Sequence, residues 1–200
     1  VTVEVLNRER GGADLGNEDL VTSASSSYAA RGSDGTAVEV GPIASHEHDE
    51  LFPIFAGVVA AGEGYPHAAP LTRQGYDQTF VEPVTIVVVA RIDGSVAGGY
   101  YLKPNFPGRA AHIANAGYVV APGFRSKGLG RLLVSDSIVR APIVGFDAIQ
   151  FNLVFSSNPA RAMYTELGWQ EVGVVPAAVD GEDAVIYHRF VGRDAQATSR

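Results

Sequence analysis

Residues 121–134, APGFRSKGLGRLLV, put three glycines and three cations directly before a run that reads as a helix. Such a stretch suits an anion. A P-loop would need Lys and Ser/Thr at the positions held by Leu129 and Gly130, although Gly123 and Gly128 have the right separation. A dinucleotide fingerprint fails too, because Gly128-Leu129-Gly130 is followed by Leu133 where a third glycine is required. What remains is R-x-x-G-x-G: Arg125, Gly128 and Gly130. Unpaired N–H groups of a first helical turn carry roughly +0.5 charge, and glycine lets a phosphate approach the backbone closely. Arg125, Lys127 and Arg131 add full charges around that turn. The same residues also fit a plain strand-to-helix turn with glycine at the bend.

Other chemistry is thinner. The five histidines lack H-x-x-x-H and H-E-x-x-H spacing, and there is no cysteine, so no metal is expected. G-x-S-x-G is absent, which leaves a serine hydrolase without support. Two asparagines stand on strand-like runs. In FDAIQFNLVF, alternation puts Ile149, Phe151, Leu153 and Phe155 on one face and Ala148, Gln150, Asn152 and Val154 on the other. In AHIANAGYVVA, Asn115, Gly117 and Val119 share a face. Each asparagine either lines something polar or is a buried amide satisfied by backbone.

The elements that must position these residues alternate in type. Strand 37–43 precedes a helix over 45–62, with Ser45 as the N-cap and Gly62 as the stop. A second short helix covers 71–81, and two β-rich runs over 84–102 join at Asp93-Gly94, a hairpin signal. The strand over 111–121 turns at about residue 126 into a helix ending near 142–145. A strand over 146–155, a helix over 158–167 and strands over 169–176 and 183–191 complete an α/β domain with a mixed sheet.

Residues 1–35 are rich in Ser, Gly, Ala and acid, a composition that predicts a flexible N-terminal tail. Residues 36–192 form the expected domain and 193–200 a C-terminal tail. A net charge of −7 argues against nucleic-acid binding. No stretch approaches the ~20 apolar residues of a membrane span, and the first residues lack a signal peptide's basic start and apolar core. The expected location is therefore cytoplasmic.

VAPGFRSKGLG and, farther on, SNPARAMYTELGW together resemble the two landmarks of the GNAT superfamily of acetyl-CoA-dependent N-acetyltransferases. The resemblance covers residues 37–191. It implies a mostly antiparallel sheet of about seven strands, helices on both faces, and a splay between the fourth and fifth strands. It implies that Val119 and Val120 offer backbone groups to pantetheine and the acetyl carbonyl. Ser126, Lys127, Gly128, Leu129, Gly130 and Arg131, with Arg125, would hold the pyrophosphate, and Tyr164 would protonate the departing thiolate. The family has an Asn seven residues before the Tyr. Here Asn158 is six before and Ser157 seven, so either is the contact.

YLKPNFPGRAAHIANAGYVV and FNLVF more closely resemble the fungal proline-analogue acetyltransferases. By that resemblance Asn115 binds a substrate carboxylate, Asn152 works beside the reacting nitrogen, and the protein detoxifies a small amino or imino acid. AAGEGYPHAAPL is similar to phosphinothricin-type acetyltransferases. Glu63 is expected at the acceptor end, and Glu63, His67, Glu82 and His112 are the possible bases. Many relatives are dimers, so a homodimer is possible. The alternatives are an antibiotic, polyamine or protein N-terminus as acceptor, or an acyl-CoA-binding module without turnover.

Overall fold

The structure, a computed structural model, describes residues 23–82 and 84–192. Its frame is one sheet of eight strands in the order β1-β2-β3-β4-β5-β6-β8-β7. The strands are β1 (Tyr28–Arg31), β2 (Ala37–Pro42), β3 (Ile86–Ile92), β4 (Ser95–Pro104), β5 (Ile113–Val120), β6 (Ala148–Phe155), β7 (Gln170–Val179) and β8 (Glu182–Phe190). All neighbours are antiparallel except β5 and β6. The β3–β4 hairpin turns at Asp93 and Gly94, both left-handed at φ 51° and 79°, as an Asp-Gly turn requires.

Helices cover both faces. Helices α1 (His48–Ala60) and α2 (Arg73–Phe80) pack Leu51, Phe55, Tyr76 and Phe80 against Val87, Val89, Tyr101 and Val119. Helices α3 (Leu129–Ile143) and α4 (Arg161–Glu166) cover the other face over Tyr100, Leu102, Ile149 and Phe151. The side-chain parity of a strand thus sorts each residue to one layer. No helix among the described residues is long and apolar enough to cross a membrane.

Three expectations need correction. Residues 28–31 are not tail but the edge strand β1, in register with β2 from Tyr28↔Val40 to Arg31↔Ala37. A long-range clamp holds this segment. Arg140, fully buried on α3, donates through Nη1 to the carbonyls of Ser23, Ala24 and Ser26 at 3.4, 3.0 and 3.2 Å. Asp136, also fully buried, pairs with Arg140 and accepts from the Tyr100 hydroxyl at 2.5 Å. Residues 1–22 and the 193–200 tail lie outside the described residues.

Ser45 is not the N-cap: a 3-10 turn (Ser45–Glu47) capped by Ala44 precedes α1, whose own N-cap is Glu47. Glu47 sets that start, its buried carboxylate accepting Ala44 N–H at 2.6 Å while gripping Arg91 at 2.5 and 2.7 Å. The Arg91 guanidinium holds the Glu47 carboxyl below its ordinary value. Finally, strict alternation fails in β6. The register shifts between Phe151 and Val154, so Val154 joins Phe151 in the α3-side core instead of sharing Asn152's face. A bulge of this kind bends a strand, and it lies where β6 leaves β5.

Candidate active site

β5 and β6 pair only over Ile113↔Ala148 to Asn115↔Gln150. Beyond that short ladder they part, and a cavity of about 660 Å³ opens between them, lined by Tyr118, Val120, Phe151, Asn158 and Tyr164 among others. The expected splay therefore exists, between the fifth and sixth strands once β1 is counted.

Backbone parity decides which groups face the gap. Ala121 N–H donates to Ala97 of β4, and the register pairs Val119 with Gly99. Odd-numbered residues of β5 thus direct their backbone groups to β4, and even-numbered residues direct theirs toward β6. Asp147 N–H donating to His112 C=O confirms the sense. Val119 is therefore tied into the ladder, which corrects the expectation that its backbone groups face the gap; those of Tyr118 and Val120 do. The Tyr65 hydroxyl donates to the Tyr118 carbonyl at 3.1 Å from within the gap. Gly117 makes room for this. A Cβ there would lie 2.7 Å from the Tyr65 hydroxyl and 2.8 Å from the Tyr101 ring.

The glycine-rich loop sits at one end of the gap. Ser126 and Gly128 are left-handed, at φ 61° and 80°. Gly128 caps α3, which starts at Leu129 rather than near residue 126 because those two residues still turn the chain. The first intrahelical bond is Leu132 N–H to Gly128 C=O. The N–H groups of Leu129, Gly130 and Arg131 are thus the orphan donors of the helix start. Space beside Gly130 is open, with no atom within 4 Å of where a Cβ would stand. The β1–β2 turn braces the loop from outside, with Ser33 N–H donating to Lys127 C=O at 2.8 Å.

Each cation of the loop faces an acid from another element. Arg125 meets Glu63 at 2.6 Å, Lys127 meets Asp34 at 3.8 Å, and Arg131 meets Glu166. Across the gap, Asn158 Oδ1 accepts Ala160 N–H at 2.9 Å and opens α4. Its Nδ2 stays on the cavity side, 3.9 Å from the Cβ position of Gly64. Ser157 N–H is held by Glu182 at 2.7 Å, and both residues line the cavity. Tyr164 packs against Phe151 and Tyr187 with ring centroids 5.0 and 5.7 Å away. Burial, then Tyr187, pushes its hydroxyl up to about 12, so it stays protonated at neutral pH.

The other end is a lattice of amides. Asn115 accepts from the Tyr101 hydroxyl and donates to Gln150 C=O, both at 3.1 Å, which bridges the strands where they begin to part. Asn152 exchanges two bonds with Asn105, at 2.7 and 3.1 Å, and accepts from Gln150 at 3.0 Å. Asn105, the residue just after β4, is a partner not singled out from the sequence; a Pro-Asn dipeptide at a strand end is the one local signal.

Among the four possible bases, Glu63 and His67 line the cavity, whereas Glu82 and His112 do not. Thr79 donates its hydroxyl to Gly75 C=O at 2.8 Å, so it accepts from His67 Nε2–H at 3.0 Å. That tautomer leaves Nδ1 unprotonated, buried and unpartnered. Burial first, then the charge of Lys103, lowers the His67 pKa and keeps the ring neutral. Among the described residues no cluster of three His, Cys, Asp or Glu could hold a metal ion.

Comparison with known proteins agrees with this geometry. Residues 47–169 match the acetyltransferase (GNAT) family model. The N-acetyltransferase aca1 of Schizosaccharomyces pombe is 34% identical over 137 residues, 60% of this chain and 66% of that protein. The match thus spans just under two thirds of the relative's length. A GCN5-related N-acetyltransferase from Kribbella flavida superposes with a TM-score of 0.71 at 32% identity, covering 76% of this chain and 97% of that one. A GNAT superfamily phosphinothricin acetyltransferase from Sinorhizobium meliloti, solved with acetyl-CoA, shares the fold at a TM-score of 0.69 and 19% identity, covering 81% and 92%.

Proposed function

The chain belongs to the acetyltransferase (GNAT) family, and from that premise we propose that it acetylates the nitrogen of a small amino or imino acid, with acetyl-CoA as donor, by direct attack in a ternary complex. The observation that carries this reading is the open β5 edge leading straight into the first turn of α3, whose N–H groups no side chain caps. An extended arm ending in a pyrophosphate fits that path: an open strand edge for the arm, then orphan N–H groups and an open glycine face for the phosphates.

Acetyl-CoA supplies the activated acyl group; the chain's own residues supply the rest. The N–H groups of Leu129, Gly130 and Arg131 hold the pyrophosphate. Val120 N–H points into the gap and donates to the acyl oxygen as charge develops there; one such donor is worth about 2.7–4 kcal/mol elsewhere. Tyr164 keeps its proton at neutral pH and gives it to the departing sulfur. His67, whose Nδ1 lone pair has no partner, takes the proton that the acceptor amine must lose once its ring turns that nitrogen from the cavity wall toward the acceptor. Asn158 Nδ2 and Asn152 flank the two sides of the reacting centre. Holding both reactants in one cleft lowers the barrier by roughly 7–11 kcal/mol in the best cases.

The test is thiol release from acetyl-CoA across azetidine-2-carboxylate, cis-4-hydroxyproline, phosphinothricin, a polyamine and short peptides. Turnover is expected with one of the amino or imino acids. Turnover confined to the polyamine or peptides would refute the acceptor class. Tyr164→Phe is expected to lower kcat by about a hundredfold with both KM values little changed; an unchanged kcat would remove its acid role.

A further inference from the structure

Charges around the cleft are distributed unevenly. Arg125, Lys127 and Arg131 each have a carboxylate partner. Lys103 on β4 has neither an ion pair nor a hydrogen bond among the described residues. Its Nζ lies over the Tyr101 ring, 4.7 Å from the centroid. Register puts Lys103 directly opposite Asn115, so it leaves β4 on the same face as Tyr101 and Asn115, beside the cavity that those two residues line and outside the lining itself. The same charge reaches His67, whose pKa it helps to lower. Lys103 is half-buried, and that burial pulls its own pKa below the ordinary value. An ammonium that has lost part of its water and has no anion beside it gains when an anion arrives.

The amides beside it have N–H groups to spare. Asn115 Nδ2 uses one hydrogen on Gln150 C=O and keeps the other. Gln150, Asn152 and Asn105 each use one amide hydrogen within their cluster and keep the second. A cation next to several unused donors is the chemistry of a carboxylate site.

We propose that Lys103 is the specificity-determining residue for an anionic acceptor, its ammonium and the second N–H of Asn115 binding the acceptor's carboxylate. The acceptor's nitrogen then points along the cavity toward Val120 and His67. This inference rests on the amino- or imino-acid reading above and assigns its carboxylate a counter-charge, which Asn115 alone does not supply.

The experiment compares azetidine-2-carboxylate with its uncharged carboxamide as acceptors. Wild-type protein is expected to favour the acid by about tenfold or more in kcat/KM, the worth of one charge-assisted contact. Lys103→Met is expected to raise KM for the acid by a similar factor, leaving KM for the carboxamide and for acetyl-CoA in place. Lys103→Arg should restore most of the loss. Equal use of acid and carboxamide by the wild-type protein would overturn the proposal without any variant. So would equal losses for both acceptors in Lys103→Met, the mark of a structural role. Wild-type turnover of the acid with unaltered Lys103→Met kinetics defeats Lys103 alone. Turnover of only carboxylate-free amines defeats the acceptor reading and this inference together.

Discussion

The two ends of the cleft are built from different materials. The α3 end is backbone: a short contiguous stretch from Tyr118 to Arg131 supplies a strand edge, a left-handed turn and a helix start. Its cations are at least partly exposed and already matched by acids. The amide end is side chain. Tyr101, Asn105, Asn115, Gln150 and Asn152 come from three separate segments and bond to one another, with Tyr65, His67 and Lys103 beside them. Backbone donors survive most substitutions, so one ligand can be kept while the sequence drifts. A lattice of side chains changes with each residue, so that end sets which acceptor fits.

The largest expected effect follows at the backbone end. Gly130 faces open space, with nothing from the rest of the protein within 4 Å of where a Cβ would stand, so Gly130→Val begins in free space, and the helix loses no capping group. The valine instead fills the space where the pyrophosphate would lie. Acetyl-CoA affinity should fall about ten- to hundredfold, the cost of overpacking a fitted site by 1–3 kcal/mol. Calorimetric titration and the thermal shift induced by acetyl-CoA measure it, with the unliganded melting temperature as control. Undiminished affinity would mean that the phosphates lie elsewhere and that the contrast between the ends is misdrawn.

Legibility in the sequence follows the same division. The loop at 121–131 could be read because its function depends on consecutive residues, and the Asp93-Gly94 hairpin because a two-residue turn needs positive φ at both positions. β1 was not legible. Nothing in Tyr28–Arg31 is strongly apolar apart from Tyr28, and its anchor is Arg140, over a hundred residues away. The β6 bulge was hidden for a related reason: alternation is a local rule, whereas the shift between Phe151 and Val154 is imposed by pairing with β8. Val119 was assigned a backbone role that its parity gives to β4, an error that only register could expose. Lys103 carried no signal at all, since an unpaired lysine is recognised only by the absence of an acid around it.

A smaller effect separates the ends by coupling. Asn105 and Asn152 exchange two hydrogen bonds, so removing either takes both bonds from the other and loosens its side chain. Asn105→Ala and Asn152→Ala should each lower kcat/KM for the acceptor, and the double variant should be no worse than the weaker single one by more than a little. A coupling energy of about 0.5–3 kcal/mol is expected for such a contact pair. KM for acetyl-CoA should stay within twofold of wild type by the same reasoning of distant, independent sites. Additive losses would show that the amides act separately and that the lattice is not a unit.

Glu63 gives the smallest effect and the finest division, because it belongs to both ends. Its place between Gly62 and Gly64 is on the segment that carries Tyr65 and His67, yet its carboxylate reaches Arg125 of the loop at 2.6 Å. Both side chains are about half exposed, so the pair contributes little to stability, within about 1 kcal/mol, and less at high salt. Glu63→Gln should therefore leave the melting temperature almost unchanged and show its effect in kinetics. If Glu63 serves the loop, freeing Arg125 should lower KM for acetyl-CoA by a few-fold and leave the acceptor alone, since an acid no longer competes with phosphate for the guanidinium. If it serves the acceptor, KM for the amino acid should rise instead. The ion pair favours the first outcome, which would move Glu63 from the acceptor end, where its sequence neighbourhood suggests it belongs, to the end defined by the loop.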